Sequence, residues 1–173
     1  MKRILPLFLA AALLTASLSG CAGKGGSGES LTAEERTELY KTAIESARDA
    51  KANADLPLSV TGKEVPDITF ELLGITKDDV SAYAMYVAAM NVQAYAVAAL
   101  YPAEGKSETV MTGLQDFIDR QKKSFENYLA DQYEIARNAK IEKLDDGTIL
   151  LVMCDGQDEI FSSIKSAINK QEK

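Results

Sequence analysis

Two cysteines, a short acidic run and the complete absence of histidine set what chemistry this 173-residue chain can offer. Cys21 stands between an apolar leader and a glycine-serine tract in TASLSGCAGKGGSGES, whereas Cys154 ends the apolar run TILLVMC. A thiol is a nucleophile, a metal ligand or a point of covalent attachment according to its surroundings. Lack of histidine removes Ser-His and Cys-His nucleophiles, imidazole acid-base work and imidazole metal sites together. A lysine-activated serine remains chemically open, but no Ser-Lys pair is set apart by its spacing. There is no Gly-rich phosphate loop and no dinucleotide fingerprint. No catalytic, cofactor-binding or metal-ligating residue is therefore assigned.

Cys154 is the odd thiol once Cys21 is committed elsewhere, and it reads as a small apolar residue of a central strand, buried and inert. Asp155, Asp158 and Glu159 follow it. Their spacing does not match the calcium loop of an EF-hand. The simpler account is structural: Asp155 caps a last helix, and Asp158 and Glu159 complement the positive end of its dipole. Tyr83, Tyr86, Tyr95 and Tyr101 offer either a binding surface or, more simply, filling for one face of a sheet.

Cys21 has a more specific context. Lys2 and Arg3 form a basic start, and Ile4 to Leu18 is an apolar run ending in small residues, the pattern of a secretory signal. The run is shorter than the roughly 20 apolar residues a permanent span needs. Leu18-Ser19-Gly20-Cys21 resembles the bacterial lipobox, with Leu18, Ser19 and Gly20 read by the signal peptidase and Cys21 carrying the lipid. The thiol has a chemical reason, since it forms the thioether to diacylglycerol. Two acyl chains, at about 0.8 kcal/mol per buried methylene, suffice for stable anchoring. The tract after Cys21 reads as a flexible tether whose nine residues reach about 15 to 18 Å.

The formal net charge of −7 becomes −9 once Lys2 and Arg3 are removed with the leader. Nucleic acid is excluded as a partner, because phosphate binding depends on clustered lysine and arginine. The same sign argues against attachment to anionic lipid through a basic patch, since the domain would be repelled. With residues 1–20 removed, the remaining chain is long enough to bury about 70% of its unfolded surface without disulfides.

The elements that must position these residues follow from pattern. Thr32 and Glu35 form a capping box, and Leu39, Tyr40, Ala43, Ile44 and Ala47 supply one apolar stripe, so a helix starts here and fades near Ala54. Arg36, Glu45, Arg48 and Asp49 are expected in solvent. Residues 55–79 read as a connecting segment with a short helical turn at Phe70 to Leu73 and a second turn capped by Thr76. Ser81 to Pro102 permits a membrane helix, a buried helix or two strands. Asn91 and Gln93 at its centre disfavour a span, while alanine favours helix and the Tyr and Val content favours two strands with Asn91 in the turn. From Ser107 a long helix places Val110, Leu114, Phe117, Ile118, Gln121, Phe125, Tyr128 and Leu129 on one face, with a break near Ala130. KIEKL, Asp145-Asp146-Gly147 and TILLVMC then give a hairpin, whose second strand is apolar on both faces and so belongs inside a sheet. A last helix from about Gln157 to Asn169 buries Ile160, Phe161, Ile164 and Ile168.

With the lipobox, GITKDD, NVQAYAVAAL, FENYLADQYEIARNAKI and ILLVMCD in view, the chain resembles a family of bacterial lipoproteins labelled domain of unknown function 4358. That resemblance implies that YAMYVAAM and VQAYAVAAL are strands. It also leads one to expect a more polar second strand, with charged residues where this chain has Ala94, Ala96 and Ala98. It brings no activity, cofactor or catalytic residue.

The expected architecture is an α+β domain: an antiparallel sheet of about four strands in two hairpins, with an N-terminal, a long central and a C-terminal helix on one side. Residues 1–20 form the signal peptide, 21–30 the lipidated cysteine and tether, and 31–173 one globular domain. The expected role is a non-catalytic extracytoplasmic binding or accessory module, held at the outer face of the cell membrane by a diacylglyceryl group on Cys21 and engaging an envelope protein. The alternative is capture of a small solute for a transporter. No cofactor is expected.

Overall fold

The computed structural model describes residues 31–51, 54, 58–61 and 65–170. The leader, Leu18, Ser19, Gly20, Cys21 and the tether lie outside the described residues. The elements run α1 (Ala33–Ala47), β1 (Leu58–Val60), α2 (Asp67–Leu72), β2 (Val80–Ala88), β3 (Ala96–Pro102), α3 (Ser107–Phe125), α4 (Ala130–Arg137), β4 (Lys140–Lys143), β5 (Ile149–Met153) and α5 (Gln157–Lys170). All strand pairings are antiparallel, in the order β1-β2-β3-β5-β4.

The fold is α+β as expected, but the sheet has five strands. The two hairpins, β2-β3 and β4-β5, join through the β3-β5 pairing, which sets Ala96 opposite Met153 and Leu100 opposite Ile149. The fifth strand, β1, falls in the segment read as a connection. Three residues are too few to show alternation, so its extended form comes from its partner: Leu58 pairs with Ala88 and Val60 with Tyr86. Thr61 continues the contact, its hydroxyl accepting from the Met85 amide at 2.8 Å.

Helices cover both faces of the sheet, which corrects the expectation of one side. Met85, Val87, Ala96, Ala98, Leu100, Ile149, Leu151 and Met153 pack with α2, α3 and α4. The intervening residues Ala84, Tyr86, Val97, Ala99, Leu150, Val152 and Cys154 pack with α1 and α5. Side chains alternate along a strand, so two separate clusters mean two covered faces. This explains why β3 and β5 lack polar alternation. It also makes the alanines of β3 useful, since a strand pressed between two helical layers gains from small side chains.

Helix α3 rises about 28 Å over its 19 residues and packs against β5, β4 and α4. It stops at Phe125, and Tyr128 and Leu129 fall in the corner before α4. The break near Ala130 is present, but Tyr128 is 86% exposed and does not continue the buried stripe. Helix α1 opens with the Thr32-Glu35 capping box and ends at Ala47, short of Ala54. The chain leaves the helix at Arg48, whose backbone is extended and whose side chain stacks on Tyr86.

Two ends of the sheet can be distinguished. At one end lie the start of α1, the β4-β5 turn and the end of β3, joined by Arg36, Asp146 and Tyr101. At the other lie the β2-β3 hairpin tip, residues 89–95, the end of α1, the start of α4 and the start of α5. The strands carry both hairpin and helix termini to these ends, so any open site must form there.

Candidate functional site

The end that carries the hairpin tip holds a cleft of about 740 Å³. Four carboxylates line it: Asp49 beyond α1, Asp131 and Glu134 on α4, and Asp155 after β5. The amides of Gln93, Gln132, Asn138 and Gln157 add hydrogen-bonding capacity, while Tyr95, Cys154, Ile135 and Ile160 give it apolar wall. No lysine or arginine lines it.

Each wall has a local cause. The β2-β3 loop is pinned to α4, because Gln132 Oε1 accepts from the Ala94 amide at 2.8 Å. Asn91 sits in the turn as its type predicts. The Gln132 side-chain and backbone N–H groups hold the Asp131 carboxyl below the ordinary carboxylate range. Glu134 pairs with Arg137 one helical turn away. Tyr95 accepts from Arg48 Nε at 3.2 Å through its hydroxyl, and burial pushes its pKa up.

The β5-α5 turn forms the remaining wall and corrects the capping expectation. Helix α5 begins at Gln157, and the carbonyl of Gly156, at φ 68°, accepts from the Glu159 and Ile160 amides. Gly156 thus occupies the cap position, and Asp155 sits one residue too early, its carboxylate accepting from the Gly156 amide at 3.0 Å. Asp158 pairs across to Lys140 on β4 at 2.6 Å. Among the described residues, no group of three or more His, Cys, Asp or Glu stands where it could hold a metal ion. Gln157 Oε1 is shielded from solvent and accepts no hydrogen bond.

Cys154 lines the cleft yet is only 3% exposed, and burial, reinforced by the Asp155 charge, pushes its pKa up to about 12. A thiol so held is protonated at neutral pH, which makes it a weak nucleophile. The tyrosines do not share one face. Tyr86, Tyr95 and Tyr101 lie on the α1 side, whereas Tyr83 meets Phe70 edge-on at 5.1 Å on the other. The Tyr86 hydroxyl donates to Glu45 at 2.6 Å, with Arg48 4.3 Å above its ring.

An exposed apolar strip borders the cleft. Leu72 on α2 and Met90 in the hairpin tip line a shallow depression beside Phe117. Gln93 and Tyr95 line both this depression and the cleft, so the two are continuous. Val92 in the same tip is exposed, as is Ile68 one turn before Leu72. The sequence marked none of this as a unit, since cleft and depression draw on six separated segments; only the apolar Met90 and Val92 in a polar turn gave a local signal.

No curated protein and no solved structure matches the chain. A family model described as a domain of unknown function, DUF4358, matches residues 52–154, from before β1 to the end of β5, and leaves α1 and α5 outside the match. That match takes in all five strands and both sides of the β2-β3 tip, and on it the chain belongs to the DUF4358 family.

Proposed function

We propose that the chain is a non-catalytic binding module of the bacterial cell envelope, anchored by lipid at Cys21, that engages a protein partner through the hairpin-tip end of its sheet. The observation that carries this reading is the exposed apolar strip of Ile68, Leu72, Met90 and Val92, which sits beside an open cleft. Contiguous apolar surface of this kind mostly marks a place where another molecule sits. The acid-rich charge and the lipobox argue for a tethered protein that meets partners outside the cytoplasm. The cleft chemistry favours binding over catalysis: no lysine, serine or histidine lines it, its thiol is protonated, and Asp131 is shifted in the sense opposite to a general acid.

A photo-crosslinking amino acid in place of Met90, expressed in cells, is expected to yield one identifiable adduct that is absent when the crosslinker replaces Glu104 at the opposite end. Equal adducts from both positions, or none from position 90, would overturn the reading. The second reading, small-solute capture, draws on the cleft volume, which falls within the roughly 300–1,000 Å³ of small-molecule sites.

A further inference from the structure

The chain contains Asp-Gly twice, at Asp146-Gly147 and at Asp155-Gly156. An aspartate followed by glycine can close a five-membered imide between its side-chain carboxyl and the next backbone nitrogen, because glycine has no side chain to block the approach and leaves the backbone free to turn. Whether a folded chain permits that closure depends on where the carboxyl and the amide are held, since groups kept in contact react faster than groups that must be brought together.

The fold treats the two pairs in opposite ways. At the first, the Asp146 carboxylate accepts from the Thr148 amide, the Thr148 hydroxyl and Arg36, and its side chain is only 1% exposed. The Gly147 amide is committed elsewhere, donating to the Leu144 carbonyl at 3.0 Å, and the Tyr101 ring closes the space beside Gly147. Neither reacting group is free there. At the second, Asp155 and Gly156 are both exposed, and the Gly156 amide donates at 3.0 Å to the Asp155 carboxylate itself. A methyl group built on Gly156 would meet nothing within 4 Å, so the turn has room for a ring. Rotation about the Asp155 side-chain bonds then brings its Cγ onto the nitrogen it already touches.

We propose that Asp155-Gly156 is a site of spontaneous aspartate isomerisation in the folded protein, and that Asp146-Gly147 is protected from it. The Gly156 nitrogen forms a bond to Cγ of protonated Asp155, the Cγ–O bond breaks, and the hydroxyl leaves with the amide proton as one water. A second water then opens the imide. Addition at Cγ restores aspartate, whereas addition at the main-chain carbonyl gives isoaspartate, with one extra methylene in the backbone and the carboxylate on the α-carbon; nothing is oxidised or reduced. Asp155, Gly156 and Gln157 line the cleft, and the Gly156 carbonyl caps α5, so the product remakes that wall and the entry to the helix. The proposal is independent of what the cleft binds.

The test incubates the full chain in detergent at neutral pH in heavy-oxygen water, with and without urea, and follows both Asp-Gly peptides by mass spectrometry. Each opened imide takes up one heavy oxygen, and electron-transfer fragmentation distinguishes isoaspartate from aspartate. In the folded chain, label and isoaspartate are expected at residue 155 at least about tenfold faster than at residue 146, and in urea the two rates should converge to within about threefold. Equal rates in the folded chain, a faster rate at residue 146, or no conversion at residue 155 overturns the proposal without any variant having to fold. A preference for residue 155 that persists in urea also overturns it, since the neighbouring sequence and not the fold would then set the rate. Asp155→Glu keeps the carboxylate but must close a slower six-membered ring, so labelling at this position should be lost; labelling that continues would show exchange without an imide and overturn the mechanism.

Discussion

Arg36 shows how a single residue escapes a surface reading. It occupies a position that helical spacing assigns to solvent, yet it is buried against Asp146 at 3.0 Å, with its guanidinium 4.0 Å above the Tyr101 ring. Asp146 also accepts from the Thr148 amide at 2.8 Å and from the Thr148 hydroxyl, which in turn meets the Tyr40 hydroxyl at 2.5 Å. The network ties α1 to the β4-β5 turn. Removing one partner leaves the other charge buried and unpaired, so Asp146→Ala is expected to lower stability by about 3–5 kcal/mol in urea unfolding. A loss below about 1 kcal/mol would show the pair to be solvated. Cys154 makes a second prediction. In a Cys21→Ala chain its thiol should react with a maleimide only after unfolding, and rapid native labelling would refute its burial. Its raised pKa also fixes a pH dependence. The unfolded thiol ionises near pH 8.5, while the folded one is held protonated towards about 12. Its stabilising contribution is therefore complete below about 8.5 and declines as pH rises towards 12. Tyr40 and Tyr95, also raised by burial, add losses of the same sign from about pH 10. Urea midpoints measured from pH 7 to 11 should fall, and Cys154→Ala should flatten the first part of that fall.

Among the elements, α3 has a packing constraint that its sequence does not display. Gly113 sits mid-helix, where glycine costs about 1 kcal/mol relative to alanine. A methyl group there would meet the backbone of Gly74 and the Ile75 side chain. Gly74 has φ +76° and would itself meet the Gly113 carbonyl at 2.8 Å if it carried a Cβ. The two glycines let α3 approach the turn after α2 backbone to backbone, and that approach lets Arg120 donate to the Leu72 carbonyl at 2.7 Å. Gly113→Ala should therefore destabilise by about 1–3 kcal/mol despite its better helix propensity, measured as a lowered Tm. An unchanged or raised Tm would mean that the turn yields freely. Helices α1, α3 and α5 and the β4-β5 hairpin were legible because their periods, caps and the Asp-Gly turn are local signals. Strand β1 and the full extent of α2 were not, because three and six residues acquire their form from β2 and α3.

At the scale of the molecule, the sheet works as a spacer between two ends. One end receives the chain at α1, and the other presents the cleft and the apolar strip. If Cys21 carries the anchor, Cys21→Ala should abolish incorporation of labelled fatty acid and move the domain from the membrane to the soluble fraction; retention of both would refute the lipoprotein reading. No helix among the described residues is long and apolar enough to cross a membrane, and Ser81 to Pro102 contributes the β2-β3 hairpin to the sheet. The sequence by itself determined the segments of α1, α3 and α5, the β4-β5 hairpin, the interior place of TILLVMC and the exclusion of histidine chemistry, because composition, period and turn type act within a few residues, whereas Ser81 to Pro102 stayed open between helix and strands until the family resemblance implied strands. Only the tertiary structure decided that helices cover both faces, that Arg36 is buried, that Gly156 takes the cap position instead of Asp155, and that amides and carboxylates from separate segments meet at the hairpin tip. Those outcomes depend on which surfaces pack together. A period of two reports that a strand is buried on both sides, but it does not name the helices that bury it.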